Sequence, residues 1–333
     1  MEINKAKKIL TECITRDDLP VMLWGVPGVG KSSIVKQVAA SLDMDVTDVR
    51  LSLLAPTDFL LPFPDRENKS IELYYPKFFP KGGRGIFLLD EINGASTMVQ
   101  GQAYQLVLDR KLGTYKLPDG WAIVAAGNRM MDRGVTYKMP APLSNRLLHL
   151  EIEPDLNAWK DWAFKNNIDT TVIAFLNSQP QYLYLMPDTP EIKAFPSPRS
   201  WEMASKIMQF DKSFEAIAAT VGEGAAAALT GFLAVFGKIP DPESILEGSI
   251  KKLPVESNDI YFAVAGSLLT ALKKNYTKER VENFFVFVNT NFPVEFQAFA
   301  IKDVIRAIGF AKLNLQAVKG YTEWAKEHAE ELI

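Results

Sequence analysis

Short apolar runs separated by polar, helix-patterned segments make up the first half of the chain. The runs are Val21–Trp24, Val46–Leu54, Gly85–Asp90, Trp121–Ala126 and Leu147–Ile152. Their brevity and polar borders predict buried strands, while Lys31–Leu42 and Met98–Leu108 repeat their apolar positions at helical spacing. Strand and helix in alternation predict an α/β fold, a parallel sheet flanked by helices.

The stretch from Ala55 to Arg84 obeys neither period. It contains Pro56, Pro62, Pro64, Pro76 and Pro80 around a polar turn at Asp65–Ser70, which predicts an inserted hairpin projecting from the sheet. A second, smaller hairpin is expected at Leu112–Leu117, turning through Pro118-Asp119-Gly120 into the next strand.

After Glu153 the strand-like runs stop. Helical spacing dominates Leu156–Asn166, Ser200–Phe210, Phe214–Thr220 and Asp259–Lys274, and then Lys278–Val288, Val294–Phe310 and Leu313–Leu332. Proline-rich breaks at Pro187–Pro198 and Pro240–Pro254 separate these groups. The pattern divides the chain near Pro154 into an α/β region, 1–153, and a helical region, 154–333. A length of 333 residues suits two domains. The run Gly224–Gly237 is shorter than the roughly 20 residues a membrane span needs, so it predicts a buried core helix.

Composition narrows the chemistry. With 37 basic and 40 acidic residues the net charge is −3, and the pI is about 5.7, which argues against a surface built for nucleic acid. A single cysteine, Cys13, excludes an internal disulfide, and two distant histidines, His149 and His328, exclude a Cys/His zinc motif. Met1–Leu10 has no apolar stretch of the kind a signal peptide needs. A cytoplasmic protein is expected.

The segment Gly25-Val26-Pro27-Gly28-Val29-Gly30-Lys31-Ser32, with Ser33 after it, fits the phosphate-loop pattern G-x-x-x-x-G-K-[ST] and lies between a strand and a helix. Small residues allow the backbone to curl so that its N–H groups face phosphate oxygens at a helix N-terminus. Lys31 then supplies a point charge to the β/γ-phosphates and the Ser32 hydroxyl reaches Mg²⁺. A second element, Ile86-Phe87-Leu88-Leu89-Asp90-Glu91, reads as a buried strand ending in two carboxylates. Asp90 is suited to hold Mg²⁺ and Glu91 to polarise an attacking water.

These motifs, with Ile92-Asn93 following Glu91 and a strand ending Ala126-Gly127-Asn128, resemble the AAA+ ATPases, and more narrowly their MoxR branch, over about Lys5 to Phe210. The resemblance implies a P-loop core with a five-stranded parallel sheet, an all-helical lid and a helical C-terminal extension. It identifies Ala55–Arg84 with an insertion in the second helix of the core and Leu112–Leu117 with a hairpin ahead of the first sensor. It implies that Asn128 is the first sensor, which positions the lytic water. Arg146 matches the arginine finger that reaches the neighbouring subunit's γ-phosphate, although most relatives have Asp where this chain has Asn145. Arg199, in Phe195-Pro196-Ser197-Pro198-Arg199, matches the second sensor. ATP, a homo-oligomeric ring (a hexamer in the family) and a partner with a von Willebrand factor A domain are further implications.

Arg129 and Arg133 read as loop charges, with a second trans-acting arginine as the alternative, and His149 reads as an ordinary satisfied or solvent-facing histidine. Phe63, Tyr74, Tyr75, Phe78 and Phe79 crowd the insertion, either as a small core of its own or as a surface that grips a protein. Two function classes follow. One is a ring-forming motor that remodels a protein, which the trans arginine and the acidic balance favour. The other is a nucleotide-dependent switch or a nucleic-acid-linked machine on the same fold.

Overall fold

The computed structural model describes residues 1–17, 19–129, 137–187, 193–236, 238–255 and 257–309, together with 313, 315, 318, 321, 324 and 325. The chain forms two compact units, Met1–Asp155 and Leu156–Ile333.

The first unit is built on the five expected parallel strands: β1 (Val21–Gly25), β2 (Asp45–Arg50), β5 (Gly85–Asp90), β8 (Trp121–Gly127) and β9 (Leu148–Ile152). Their order across the sheet is β2-β5-β8-β1-β9. Every residue of β5 and β8 is buried, whereas the edge strand β9 alternates between covered and exposed positions and β2 buries only Val49. Central strands of a parallel sheet are covered on both faces, which is why they are apolar throughout. The second strand is shorter than its apolar run suggested, because at Leu51 the chain leaves the sheet in a single 3₁₀ turn through Leu53.

Helix α1 (Ile3–Glu12) packs against α2 (Lys31–Ser41) and β9. On β5, β8 and β1, Phe87, Leu89, Ile123, Ala125 and Met22 share a core with Val99, Ala103 and Leu106 of α4 (Thr97–Asp109). The remaining short helices are α3 (Pro56–Phe59) and α5 (Ala141–Ser144).

The insertion is the expected hairpin, β3 (Leu61–Asp65) against β4 (Ser70–Tyr74), paired from Leu61↔Tyr74 to Asp65↔Ser70. The Asp65 carboxylate accepts the N–H groups of Glu67 (3.0 Å) and Asn68 (3.1 Å) and so closes the turn. The second hairpin pairs β6 (Lys111–Leu112) with β7 (Tyr115–Lys116). The crowded aromatics divide between a buried ring and exposed ones. Phe79 is buried against Phe59, Phe87 and Tyr115, with Tyr75 stacked on it, whereas Phe63, Tyr74 and Phe78 are exposed. The Tyr115 hydroxyl donates to Pro80 O at 2.7 Å, and burial pushes its pKa up to about 12.

The second unit is helical: α6 (Leu156–Lys165), α7 (Thr170–Ser178), α8 (Pro198–Ile207), α9 (Phe214–Val221), α10 (Glu223–Phe236), α11 (Pro242–Leu246), α12 (Asn258–Lys274), α13 (Lys278–Asn291) and α14 (Val294–Ile308). Asp169, Ser197, Ser213, Asp241, Ser257 and Thr277 each accept a backbone N–H in the first turn of the helix they start. One core runs from Trp159 to Trp324, so the helices after Glu243 pack with those before it as a single body. Trp159, Trp201 and Trp324 lie in that core and Trp162 packs against it. Helix α10 contributes Ala225, Ala226, Leu229 and Phe232, but Ala227, Thr230, Gly231 and Ala234 are exposed, so the expected core helix is buried on one face only. Most of Leu313–Leu332 lies outside the described residues. Among those described, no helix is long and apolar enough to cross a membrane.

Lys160 of α6 and Asp303 of α14 form a buried ion pair, 2.5 Å apart. Asn177 of α7 completes it, accepting from Lys160 at 2.9 Å and donating to Asp303 at 3.1 Å. Burial lowers the Lys160 pKa and raises that of Asp303, each opposed by the partner's charge. Removing Lys160 leaves the buried Asp303 charge only Arg306, 3.9 Å away, and Asn177, so Lys160→Met is expected to cost up to about 3–5 kcal/mol in urea unfolding. Lys160→Met with Asp303→Leu should recover most of that loss. An equal loss in the double variant would mean that the polar network, rather than the stranded charge, sets the cost.

Candidate active site at the carboxyl ends of the strands

The phosphate-loop residues, the acidic pair and Asn128 meet because of the sheet order. Strand β8 lies between β1 and β5, so the chain leaving β8 passes between the loop that follows β1 and the carboxylates that end β5. In the loop, Gly28 has φ 81° and Gly30 φ 102°, a region that side chains rarely adopt. These two reversals return the backbone to start α2 at Lys31.

Lys31 is buried, and its ammonium folds back over its own loop. It donates to Gly25 O at 2.7 Å, to Val26 O at 3.3 Å and to Asn128 Oδ1 at 2.8 Å. The Ser32 hydroxyl donates to Asp90 Oδ2 at 2.6 Å, joining the loop to β5. Asp90 Oδ1 accepts the Glu91 N–H at 2.9 Å, so both carboxylate oxygens of Asp90 are engaged.

Glu91 sits at φ 54°, ψ 37°, a left-handed conformation that is costly for a residue with a Cβ. Its carboxylate accepts a hydrogen bond from the Ser52 hydroxyl. Ser52 follows β2, the neighbour of β5, and so reaches the acid from the adjacent strand end.

Asn128 is held by Asn93, which is buried. The Asn93 amide donates to Asn128 O at 2.5 Å, and Asn93 Oδ1 accepts the Asn128 N–H at 3.2 Å. The Asn93 carbonyl also accepts from Tyr137 N at 2.6 Å. Neither Ser52 nor Asn93 was assigned a role from sequence. Asn93 lies in the run that carries the family resemblance; Ser52 has no signal apart from its place at a strand end.

Arg146 is elsewhere. It precedes β9, whose register runs from Val21↔Leu148 to Gly25↔Ile152, so Arg146 sits at the starting end of the strands. Four residues of strand at about 3.3 Å each put that end roughly 13 Å from the level of Gly25. An arginine side chain directed from there cannot reach the phosphate loop of its own chain. Arg146 is exposed at the rim of an open pocket of about 240 Å³ that Pro20, Val107, Leu108, Arg110 and Ile123 also line. Arg110 itself is structural, donating to Pro118 O at 3.0 Å and to Trp121 O. Arg199 lies exposed in the first turn of α8, in the helical unit. Arg129 follows Asn128 directly, and Arg133 lies outside the described residues.

Residues 21–146 match the family model of the ATPase family associated with various cellular activities (AAA). A search of curated proteins gives no match. Among solved structures, NtrX from Brucella abortus in complex with ADP is similar at 12% identity and TM-score 0.42, covering 99% of this chain and 68% of that one. A mutant of RuvB from Thermotoga maritima is similar at 16% identity and TM-score 0.40, covering 85% and 88%. At TM-scores below 0.5, neither likeness says anything of function. The matched residues carry the phosphate loop, the acidic pair, Asn128 and four of the five parallel strands.

The neighbourhood of Asn128 leaves no room for a larger residue at position 127. A Cβ on Gly127 would collide with Asn93 Oδ1 and, at 2.7 Å, with the Met22 methyl. Gly127→Ala should therefore displace Asn93 and, with it, Asn128. Turnover is expected to fall by about tenfold or more, since misplacing a reacting group by an ångström costs up to 10². Steady-state hydrolysis at saturating nucleotide checks this, and an unchanged rate would show that Asn128 does not need Asn93.

Proposed function

We propose that this protein binds ATP with Mg²⁺ and hydrolyses it as one subunit of a homo-oligomeric ring, a remodelling motor of the MoxR type that acts on a protein partner. The observation that carries the reading is the convergence of Lys31, Ser32, Asp90 and Asn128 through hydrogen bonds that cross three strand ends.

The donor set suits a triphosphate. Gly25–Ser33 offers backbone N–H groups at the start of α2, and the Lys31 ammonium rests on oxygens that phosphate oxygens can replace. Ser32 and Asp90 are the residues to hold Mg²⁺, which when bound would offset the charge between the β- and γ-phosphates. Hydrolysis needs a water aligned on the γ-phosphorus and a base for its proton. Asn128 offers an amide to orient that water, and Glu91 a carboxylate to accept the proton as the bond to ADP breaks. The Ser52 hydroxyl holds this carboxylate by one of its oxygens.

Two cations complete the site in this reading. Arg146 serves the γ-phosphate of the neighbouring subunit, which its place at the far end of the strands supports. Arg199, at the position that matches the second sensor, is assigned that role in the same reading. The exposed apolar residues of the β3–β4 hairpin, Leu61, Phe63, Ile71 and Tyr74, support a protein client, because such side chains gain most by being covered. A hexamer and a partner carrying a von Willebrand factor A domain belong to the same proposal.

Glu91→Gln tests the chemistry. The amide keeps the shape of the side chain and loses the base. ATP affinity should stay within a few-fold and hydrolysis should drop by about 10²–10⁴. Hydrolysis close to that of the unaltered chain would remove Glu91 from its role.

A further inference from the structure

His149, on β9, has a hydrogen-bond partner at each ring nitrogen. The Trp24 indole N–H points at His149 Nδ1 at 2.7 Å, with the two rings 13° from coplanar. An imidazole lone pair lies in the ring plane, and an indole nitrogen can only donate, so Nδ1 is the acceptor. The proton of the neutral ring is then on Nε2, which lies 2.8 Å from Ser144 O and donates to it. The Ser144 hydroxyl is 3.3 Å from the same nitrogen.

Ser144 ends α5, two residues before Arg146. The turn that carries the arginine is closed by Arg146 N donating to Leu143 O (3.1 Å) and Leu147 N donating to Ser144 O (3.2 Å). Leu143 and Leu147 are buried on either side, so the turn is pegged at both ends, and its Ser144 carbonyl accepts from the imidazole as well as from Leu147 N. At the other end of the link, Trp24 immediately precedes Gly25, whose carbonyl accepts the Lys31 ammonium.

We infer that His149 is a positioning residue for Arg146: the Trp24–His149–Ser144 bridge fixes the turn that presents the arginine to the adjacent subunit. The inference rests on the trans role proposed above for Arg146. It makes a demand that an ordinary satisfied histidine does not. A lesion at His149 must damage the half-site that Arg146 serves, and leave intact the half-site formed by Lys31, Asp90 and Glu91 of its own chain.

Mixed assemblies of the full-length chain test this. The reference pair is Arg146→Ala with Glu91→Gln, each impaired alone. Mixing them creates interfaces where an intact Glu91 pocket meets an intact Arg146, and hydrolysis should return. His149→Phe alone should lower turnover by roughly tenfold, with ATP affinity within about two-fold of the unaltered chain. Mixed with Glu91→Gln it should recover above the mean of the two parents; mixed with Arg146→Ala it should not. Trp24→Phe keeps the ring and removes the donor, and should behave in the same way. It carries the test if His149→Phe fails to fold. Recovery of His149→Phe with Arg146→Ala but not with Glu91→Gln would overturn the inference, as would turnover unchanged in both variants. If the reference pair itself recovers nothing, the shared site is refuted and the inference falls with it. If the reference pair recovers and the His149 pair does not, the inference alone is refuted.

Discussion

The pairing of β8 between β1 and β5 sets the conditions for everything at the site. Were β1 and β5 neighbours, the phosphate loop and the acidic pair would adjoin with no third chain between them. Placing β8 there delivers Asn128 into the gap, where its side chain meets the Lys31 ammonium and its backbone meets Asn93. Each of the three strands then contributes one group at its carboxyl end; β5 and β8 are buried through their length and β1 everywhere but Trp24, which is partly covered. Groups held on rigid, covered strands keep their positions without help from solvent.

The same parallel arrangement separates Arg146 from the acids. Acids and the phosphate loop gather where the strands end, while Arg146 enters where β9 begins. Within one chain those ends face away from each other along the strand direction. A second chain whose sheet end approaches the first would bring an arginine to the phosphates without any rearrangement inside either unit. The trans reading thus draws on a property of parallel sheets, that all strands point one way. His149 is of interest because its two ring nitrogens span β1 and α5, the elements that lead to the loop and to the arginine.

Much of this could be read from the residues in order. The five strands were legible because four of them are apolar runs bounded by turns, and the two hairpins because prolines and a polar turn break both periods. The phosphate loop was legible because its glycines are needed by backbone geometry at fixed spacing. What stayed hidden depends on adjacency in space. Helix α1 buries only Ile3, Ala6 and Leu10 among lysines, a stripe too thin to stand out beside its charged neighbours. Helix α7 lies in a segment where β-branched Val172 and Ile173 obscure the helical period. Ser52 gains meaning only when β2 is known to pair with β5, and Asn93 only when β8 is known to pass beside it. His149 looked like an alternating polar residue on an edge strand, and only the register against β1 brings it to Trp24.

The central claim is that one 37.2 kDa chain holds an incomplete site and that a neighbour completes it. The most direct measurement is turnover per chain as a function of chain concentration, with Mg²⁺ and ATP held at saturation throughout. A shared site predicts that turnover per chain rises steeply from a low value in dilute solution and levels off once the assembly is complete. Over the same range, the fraction of chains with ATP bound should stay level. Turnover per chain that is constant on dilution, down to concentrations where the protein sediments as a single chain, would contradict the account.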